Sequence, residues 1–495
     1  MSDARSTRVR VAIVGSGFAG LGMAIRLKRA RIDDFVILER AADLGGTWRD
    51  NSYPGCACDV ESHLYSFSFA LNPDWSRRFA PQPEIQAYLR RCAERFGIVP
   101  HIRFGHDVTG ARWDDAAQEW VVDTSGGTVR AAILVLGNGP LSDPVIPDLP
   151  GLASFEGAAF HSAAWRHDVD LAGRDVAVIG TGASAIQFVP HVQQRARRLT
   201  LFQRTAPWVI PRHDRDVSPR LRRIYRALPP VQRVVRALIY MRHELLLLLF
   251  RHPRWMARAE DVARRGLRKW IGDPGRRAQM TPDYTMGCKR LLLSDDYLPA
   301  VARPNVRVVT TPLREVRPRG VVDASGTEHP ADVIIFGTGF RPTDPPLAPC
   351  IHGRDDRTLA DVWQGSPRAY LGTMVAGFPN LFILLGPNTG LGHSSVVFMI
   401  EAQLAQVMRV LRELERRRVP SLEPSAAAQA RFVSDVERRL RGTVWVAGRC
   451  RSWYLDRTGR NSAIWPDFTW RFRRRLRRLV RGDYVTVSAT APDAG

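Results

Sequence analysis

The chain has 495 residues, 45% of them hydrophobic and 24% charged, which is typical of a globular protein and too long for one compact core. The formal net charge of +23 comes almost entirely from arginine, because lysine occurs only at Lys28, Lys269 and Lys289. Such a strong preference for arginine over lysine indicates codon bias of the genome and not selection for a polyanionic partner. Since no nucleic-acid-binding motif accompanies the arginines, we expect solvated basic helix faces and no nucleic-acid partner.

No segment predicts secretion or a membrane span. The six cysteines show no framework of paired spacings, and the N-terminal sequence lacks an apolar stretch with a cleavage site, so we expect a cytoplasmic protein. The most apolar window, RVVRALIYMRHELLLLLFRH, is interrupted by Arg236, Arg242, His243 and Glu244. A spanning helix needs about 20 mostly uncharged residues, so no integral membrane segment is expected.

The first predicted element is a βαβ unit. VRVAIV predicts a strand, GSGFAG a turn, FAGLGMAIRLKRA a helix and DFVILER a second strand. Gly15, Gly17 and Gly20 give a tight turn, a close backbone approach for a pyrophosphate and close helix–strand packing, respectively. Glu39 ends the second strand, where a carboxylate can accept both ribose hydroxyls of an adenosine.

The stretch GGTWRDNSYPGCACD (45–59) follows. Gly45 and Gly46 predict a second close backbone approach, Trp48 and Tyr53 a rigid aromatic wall, and Asp59 a carboxylate on a loop. The two cysteines of this stretch could suggest a redox dithiol or, with His63, a metal site. One intervening residue makes a strained disulfide and the ligands are too few, so we expect packed thiols and no metal.

A second βαβ unit follows short strands predicted in residues 107–140. RDVAVIGTGASAIQFVPHVQQRARRLTLFQR predicts a strand at 176–179, a turn, a helix and a strand at 199–203. Gly180, Gly182 and Ala185 repeat the first turn, and Arg204 lies 24 positions after Gly180, as Glu39 lies 24 after Gly15. A guanidinium there binds a 2′-phosphate that a carboxylate would repel, which predicts NADPH; the alternative is one more surface arginine.

The remaining elements predict discontinuous domains. Residues 215–285 read as an Arg-rich helical insertion, and strand-like ADVIIFGTGF (331–340) and NLFILLGP (380–387) return late, each ending in glycine. The predicted fold is therefore α/β, with two Rossmann-like dinucleotide-binding domains, for FAD and NADPH, both discontinuous in sequence. The predicted segments are 1–150 and 346–495 for the FAD domain, 151–214 and 286–345 for the NADPH domain, and 215–285 for the insertion.

Several motifs together resemble the Baeyer–Villiger monooxygenases, a family of class B flavoprotein monooxygenases. FEGAAFHSAAWR (155–166) matches the family fingerprint through Trp165, although Arg166 stands where Pro or Asp is usual. GGTWRDNSYPGCACD matches a second fingerprint, GCKR (287–290) resembles the family's Lys-Arg pair, and CRSWY (450–454) its C-terminal Trp motif. The resemblance spans residues 10 to about 470. It implies that 155–166 is a packed interdomain linker, in which His161 and Trp165 couple cofactor occupancy to domain position.

The resemblance also assigns expected site residues. Arg290, Asp59 and Lys289 are the expected catalytic residues. The expected FAD-binding residues are Gly15, Gly17, Gly20, Glu39, Gly46, Thr47, Trp48, Asp50, Asp59, Tyr65, Val108 and Asn388. The expected NADPH-binding residues are Gly180, Thr181, Gly182, Ala183, Ser184, Ala185, Arg204, Thr205, Lys289, Arg290 and Trp453.

The implied reaction uses O₂ and a ketone as substrates. Hydride from NADPH reduces FAD, reduced flavin and O₂ give a C4a-peroxyflavin, and Arg290 stabilises its negative charge while oxygen is inserted to give an ester or lactone. Two alternatives remain open: an N- or S-oxygenating flavin-containing monooxygenase or N-hydroxylase, and a non-enzymatic basic protein bound to membrane or nucleic acid. The particular ketone and the oligomeric state are not predicted.

Overall fold

The structure, a computed structural model, describes residues 7–448, 450 and 452–486. Arg451 of the CRSWY motif and the outermost residues of the two predicted FAD-domain segments, 1–6 and 487–495, lie outside the described residues. The strands are β1 (Thr7–Val14), β2 (Phe35–Glu39), β3 (Ile102–Phe104), β4 (Val108–Asp114), β5 (Glu119–Thr124), β6 (Gly127–Leu136), β7 (Ala158–His161), β8 (Asp175–Ile179), β9 (Arg198–Phe202), β10 (Val209–Ile210), β11 (Leu292–Leu293), β12 (Val306–Val309), β13 (Leu313–Arg317), β14 (Gly320–Asp323), β15 (Glu328–Pro330), β16 (Val333–Phe336), β17 (Ile351–His352), β18 (Leu381–Ile383), β19 (Leu422–Pro424) and β20 (Tyr484–Thr486). The helices are α1 (Phe18–Arg29), α2 (Thr47–Asp50), α3 (Gln82–Arg95), α4 (Ala185–Arg195), α5 (Pro219–Ala227), α6 (Pro229–Arg251), α7 (Pro253–Trp270), α8 (Pro274–Gln279), α9 (Tyr297–Val301), α10 (Leu359–Trp363), α11 (Val396–Arg417), α12 (Ala426–Leu440), α13 (Val444–Ala447) and α14 (Thr469–Leu476).

The larger sheet has eight strands. Its order is β17-β4-β5-β6-β1-β2-β3, and β18 also pairs with β6. β1 lies between β6 and β2 and is parallel to both, so its apolar residues are buried on both faces. The long strand β6 pairs antiparallel with β5 through its first half and parallel with β18 through Leu134–Leu136. One sheet is therefore formed by strands from the first 136 residues together with β17 and β18 from much later in the chain.

The second sheet has five parallel strands in the order β12-β9-β8-β16-β7, all within residues 158–336. Its edge strand β7 lies inside the FEGAAFHSAAWR motif, which we expected to serve as a linker. The motif pairs with β16 from Val333↔Ala158 to Phe336↔His161, so it is part of the sheet as well as a connection.

The two sheets confirm the predicted α/β fold class. Each predicted βαβ unit is present, as β1-α1-β2 and as β8-α4-β9. One detail differs: β9 ends at Phe202, so Arg204 lies in the loop after the strand and is exposed instead of ending it. The boundaries of the two predicted domains stay a prediction.

The insertion is helical, as the sequence indicates, and consists of α5, α6, α7 and α8. α6 presents exposed apolar residues such as Leu238 and Met241 on one face and buries His243 and Glu244 on the other. The Nε2 atom of His243 lies 2.5 Å from Glu61 Oε2, and Glu244 accepts hydrogen bonds from Thr469, so both buried side chains have hydrogen-bond partners. Within the described ranges, no helix combines the length and apolarity needed to cross a bilayer.

Candidate functional site

The first glycine-rich turn has a geometry that only glycine allows. Gly15 has a φ of +89°, and a Cβ on Gly20 would lie 1.9 Å from the carbonyl oxygen of Gly15. Helix α1 starts directly after this turn, with no side-chain cap and no acidic residue in its first turn. The uncapped N–H groups and the positive end of the helix dipole leave a place for an anion, so the turn fits the pyrophosphate of a dinucleotide.

A second glycine turn faces the first. Gly46 has a φ of +54°, and a Cβ on it would lie 3.3 Å from the Cα of Gly17. The pair Gly45-Gly46 immediately precedes the short helix α2, which begins at Thr47 and ends at Asp50. Two backbone segments without side chains therefore enclose the space beside the N-terminus of α1.

Glu39 lies at the end of β2, as predicted, and is almost completely buried. It accepts hydrogen bonds from the backbone N–H and the hydroxyl of Ser16, at 2.9 and 2.6 Å, and from Arg49 Nη1 at 2.8 Å. Burial alone would raise its pKa, but the contacts with Ser16, the backbone N–H of Ala41 and Arg49 outweigh it, so the pKa of Glu39 is lowered. Sequence reasoning missed Ser16 and Arg49, although both lie inside the quoted motifs.

The other expected FAD-binding residues have different surroundings. Trp48 Nε1 donates to the hydroxyl of Tyr65 at 3.1 Å, so these two are in contact. Val108 starts β4 and is buried in an apolar cluster that also contains residues of β1 and β2. The amide of Asn388 donates to the carbonyl oxygens of Asn461 and Ile464, so its side chain holds the protein backbone.

The second glycine-rich turn repeats the first with one difference. Gly180 has a φ of +108°, and a Cβ on it would lie 2.5 Å from the carbonyl oxygen of Gly337. Apart from its chain neighbours, no described residue has a heavy atom within 4 Å of a Cβ built on Gly182, so that position faces open space. Helix α4 begins at Ala185 without a side-chain cap or an acidic residue, and Thr181 donates to the carbonyl oxygen of Thr205 at 3.3 Å. The open, uncapped turn fits a second dinucleotide, with Ala183 and Ser184 lying between the turn and the helix.

Two cations, Arg204 in the loop after β9 and Lys289 in the loop before β11, lie near each other. Arg204 is exposed and makes no ion pair with any residue that the structure describes. The ammonium of Lys289 lies 4.7 Å from the centre of the Tyr284 ring, and burial together with the nearby Arg204 charge lowers the pKa of Lys289. An unpaired guanidinium and an ammonium in one place fit a phosphate monoester such as the 2′-phosphate of NADPH.

Arg290 and Asp59 form an ion pair. Nε and Nη2 of Arg290 both lie next to Asp59 Oδ2, at 2.7 and 2.6 Å, while Nη1 is 3.5 Å from the carbonyl oxygen of Leu391. Each of the two side chains retains about 30% of its surface exposed. The Asp59 charge, opposed by burial, raises the pKa of Arg290, so the guanidinium is permanently charged.

Apolar and neutral groups surround this pair. Burial raises the pKa of Tyr454 to about 12, and its side chain interacts electrostatically with both Arg290 and Asp59. Burial likewise raises the pKa values of Tyr65 and of the Cys58 thiol, which also interact with Arg290. These groups therefore stay neutral, and the charge of Arg290 acts in surroundings of low polarity. Sequence reasoning missed Tyr454, whose only signal was its position next to Trp453.

A disulfide bond joins the loop of Lys289 and Arg290 to the segment of Trp453. It links Cys288 to Cys450, 162 positions apart, a pairing that sequence spacing did not predict. Trp453 is 42% exposed, and its ring centre lies 4.4 Å from that of Tyr454. Cys56 and Cys58 are free and buried, which confirms that they are packed thiols. Among the described residues, no group of three or more His, Cys, Asp or Glu could hold a metal ion.

The two fingerprint motifs contact each other through aromatic rings. The ring centre of Trp165 lies 6.5 Å from that of Tyr53 and 5.4 Å from that of Phe188 in α4. The Tyr53 hydroxyl donates to Gln187 Oε1 at 3.0 Å, so the loop after α2 is bound to α4. His161 accepts a hydrogen bond from the N–H of Ala163 through Nδ1.

Comparison with known proteins gives consistent results. The family model described as pyridine nucleotide-disulphide oxidoreductase matches residues 12–232. A protein of Streptomyces coelicolor named Baeyer-Villiger monooxygenase is 51% identical over 98% of this chain and 94% of its own. The closed crystal structure of cyclohexanone monooxygenase superposes with a TM-score of 0.88 at 29% identity, covering 98% of this chain and all of that one. The crystal structure of OTEMO in complex with FAD and NADP gives a TM-score of 0.87 at 27% identity, covering 97% of this chain and 100% of the other.

Proposed function

The chain belongs to the Baeyer–Villiger monooxygenase family, and from that premise we propose that it inserts one oxygen atom of O₂ next to a ketone carbonyl, giving an ester or lactone. It is an FAD-containing, NADPH-dependent flavoprotein monooxygenase. In the balanced reaction, ketone, O₂, NADPH and a proton give ester, water and NADP⁺. The ion pair of Arg290 with Asp59 carries the proposal.

The first glycine turn, Gly46 and Glu39 would hold FAD, with Gly15, Gly17 and Gly20 shaping the turn beside the uncapped N-terminus of α1. Trp48 and Tyr65, which are in contact, would line the flavin side of that space. Bound FAD, once reduced by NADPH, supplies the electrons for activating O₂.

The second turn, from Gly180 to Ala185, would bind the NADPH pyrophosphate, and Arg204 with Lys289 would bind its 2′-phosphate. Support comes from the open space at Gly182 and from the unpaired charge of Arg204. Thr205 lies beside Thr181, and Trp453 lies beside Tyr454 at the Arg290 site, where it would cover the nicotinamide.

Arg290 would stabilise negative charge on oxygen. Asp59 occupies its Nε and Nη2 edge, which fixes the plane of the guanidinium and leaves Nη1 directed away from Asp59. One donor of this kind in a water-poor site is worth about 3–4 kcal/mol of transition-state stabilisation. The neighbouring Tyr454 and Cys58 are buried and neutral, which lowers the local polarity and so strengthens the charge interaction.

Product analysis tests this proposal. FAD-loaded protein is supplied with NADPH, isotope-labelled O₂ and three separate substrates: a linear ketone, a cyclic ketone and an alkyl aryl sulfide. We expect an ester or lactone that carries one labelled oxygen, with one NADPH consumed per product after subtraction of hydrogen peroxide. Sulfoxide formation without ester from any ketone would contradict the proposal and favour the N- or S-oxygenating alternative.

A further inference from the structure

A cavity on the outer side of the larger sheet is lined by arginines from three helices. α1, α11 and the C-terminal helix α14 enclose a cavity of about 330 Å³, and a second one of about 300 Å³ adjoins it along α1 and α11. A volume of this size lies at the lower end of the range found for small-molecule sites. The arginines that line the two cavities are Arg26, Arg29, Arg409, Arg412, Arg473 and Arg477.

None of these six guanidiniums forms an ion pair with a described residue, although arginines nearby do. On the same helices, Arg417 pairs with Glu413 and Arg475 with Asp435, both at 2.6 Å. Among the described residues that line the cavity, the only carboxylate is that of Glu401, which accepts hydrogen bonds from the N–H and the hydroxyl of Ser68. The six guanidiniums therefore carry a large excess of positive charge over the charge of Glu401.

Helix dipoles explain only part of this arrangement. Arg26 and Arg29 lie in the last turn of α1, and Arg473 in the last turn of α14, where a positive charge is favourable. Arg409 and Arg412 lie within α11, away from its last turn, so the dipole does not account for them. Both guanidiniums of α1 lie over the ring of Phe69, at 5.8 and 5.5 Å from its centre, which holds them at the cavity.

The arginines are held together at an electrostatic cost. Burial and then the neighbouring guanidiniums, partly offset by Glu401, lower the pKa of Arg26. Burial and four neighbouring arginines also lower the pKa of Arg409, whose Nη1 donates to the carbonyl oxygen of Leu476 at 2.8 Å. A bound anion with several negative charges would relieve this repulsion and accept the remaining guanidinium hydrogens.

We propose that this cavity is a binding site for a small ligand bearing a diphosphate group, separate from the two dinucleotide turns. The concave shape and the half-buried position of Arg26 and Arg409 favour a small anion that enters the cavity over a membrane or a nucleic acid, which would contact only the exposed arginines. Phe69 and Phe398, whose ring lies 5.7 Å from the Arg473 guanidinium, provide apolar contact for the organic part of the ligand.

Calorimetric titration with inorganic pyrophosphate tests the proposal. The protein is loaded with FAD, and NADP⁺ is added in a stoichiometric amount, so that neither dinucleotide turn is free to bind the probe and no excess dinucleotide competes for the cavity. The cavity variant is Arg409→Gln with Arg473→Gln, and its matched control is Arg474→Gln with Arg478→Gln, which removes the same charge from exposed residues outside the cavity. We expect the cavity variant to bind pyrophosphate about tenfold more weakly or worse, and the control to bind like the wild type.

Thermal unfolding checks that the variants are folded. Pyrophosphate should raise the Tm of the wild type and the control, but not that of the cavity variant, which should still unfold in one cooperative transition. Equal losses of affinity in both variants would overturn the proposal. The proposal would also be overturned if the wild type did not bind pyrophosphate but bound DNA or vesicles containing phosphatidylglycerol. The arginines would then form a binding surface for a nucleic acid or a membrane.

Discussion

Arg290 donates from Nε and Nη2 to a single oxygen of Asp59, a residue 231 positions earlier in the chain. The contact joins the loop before β11 to the loop that follows Gly45-Gly46 and α2. Replacing Arg290 by Ala should lower ester formation about 100-fold or more, since a fixed cation for the developing oxyanion is lost. NADPH oxidation should continue and yield hydrogen peroxide, so product and peroxide are quantified together. Arg195→Ala, which removes an exposed Arg–Asp pair outside the fingerprint motifs, is the control. Full ester formation by Arg290→Ala would show that the proposed role is wrong.

Arg204 should determine the preference for NADPH over NADH. Replacing it by Gln removes the unpaired guanidinium assigned to the 2′-phosphate, so the KM for NADPH should rise about tenfold to 100-fold, while that for NADH should hardly change. Steady-state kinetics with both coenzymes measure this ratio. Arg198→Gln, at the exposed start of β9, removes the same charge from the other end of the strand and should leave both KM values unchanged. A parallel rise for NADH would contradict the assignment.

The Cys288–Cys450 bond should stabilise the native protein. Cross-linking two distant positions restricts the unfolded chain, and a native disulfide contributes about 2–4 kcal/mol. Adding a thiol reductant should therefore lower the Tm of the wild type but not that of the Cys288→Ala, Cys450→Ala double variant, and Cys92→Ala should respond like the wild type. Because the bond lies next to Lys289 and near Trp453, its loss should also raise the KM for NADPH. An unfolding curve that is the same with and without reductant would contradict the prediction.

His63 should make stability depend on pH. Burial, and then the charge of Arg236, lowers the pKa of this histidine from 6.5 to about 4, and its Nδ1 lies 3.1 Å from Gln232 Nε2, which can only donate. Below about pH 6.5 the unfolded chain binds a proton there that the native protein does not. The free energy of unfolding should thus decrease by up to about 3 kcal/mol between pH 6.5 and 4.

The variant His63→Gln should flatten that part of the pH profile, because glutamine does not titrate. Denaturant unfolding at half-unit pH steps measures the effect, and His252→Gln, at an exposed position, is the matched control. A profile for His63→Gln as steep as that of the wild type would assign the acid sensitivity to other groups.

The sequence was sufficient where local geometry dictates the residue. The turns at Gly15 and Gly180 were predictable because a positive φ and close backbone contacts leave no room for a side chain. It was insufficient where contacts join distant segments: the Cys288–Cys450 bond and the contact of Tyr53 with Gln187 depend on tertiary packing, for which spacing carries no signal. The end of β9 before Arg204 shows that strand ends are set by pairing partners, here β12, which also ends opposite Phe202.

The pairing of β18 with β6 has a consequence for synthesis on the ribosome. The pairing of Leu134–Leu136 requires Leu381–Ile383, which are synthesised about 245 residues later. Helix α1 packs against α11, which lies still later in the chain. The first nucleotide-binding unit therefore emerges from the ribosomal exit tunnel before β18 and α11 have been synthesised. At that stage one edge of β6 is unpaired and α1 is not covered by α11. A nascent chain halted before β18 should accordingly be a client of chaperones and a substrate of proteases, even though every residue of its first glycine turn has already been translated.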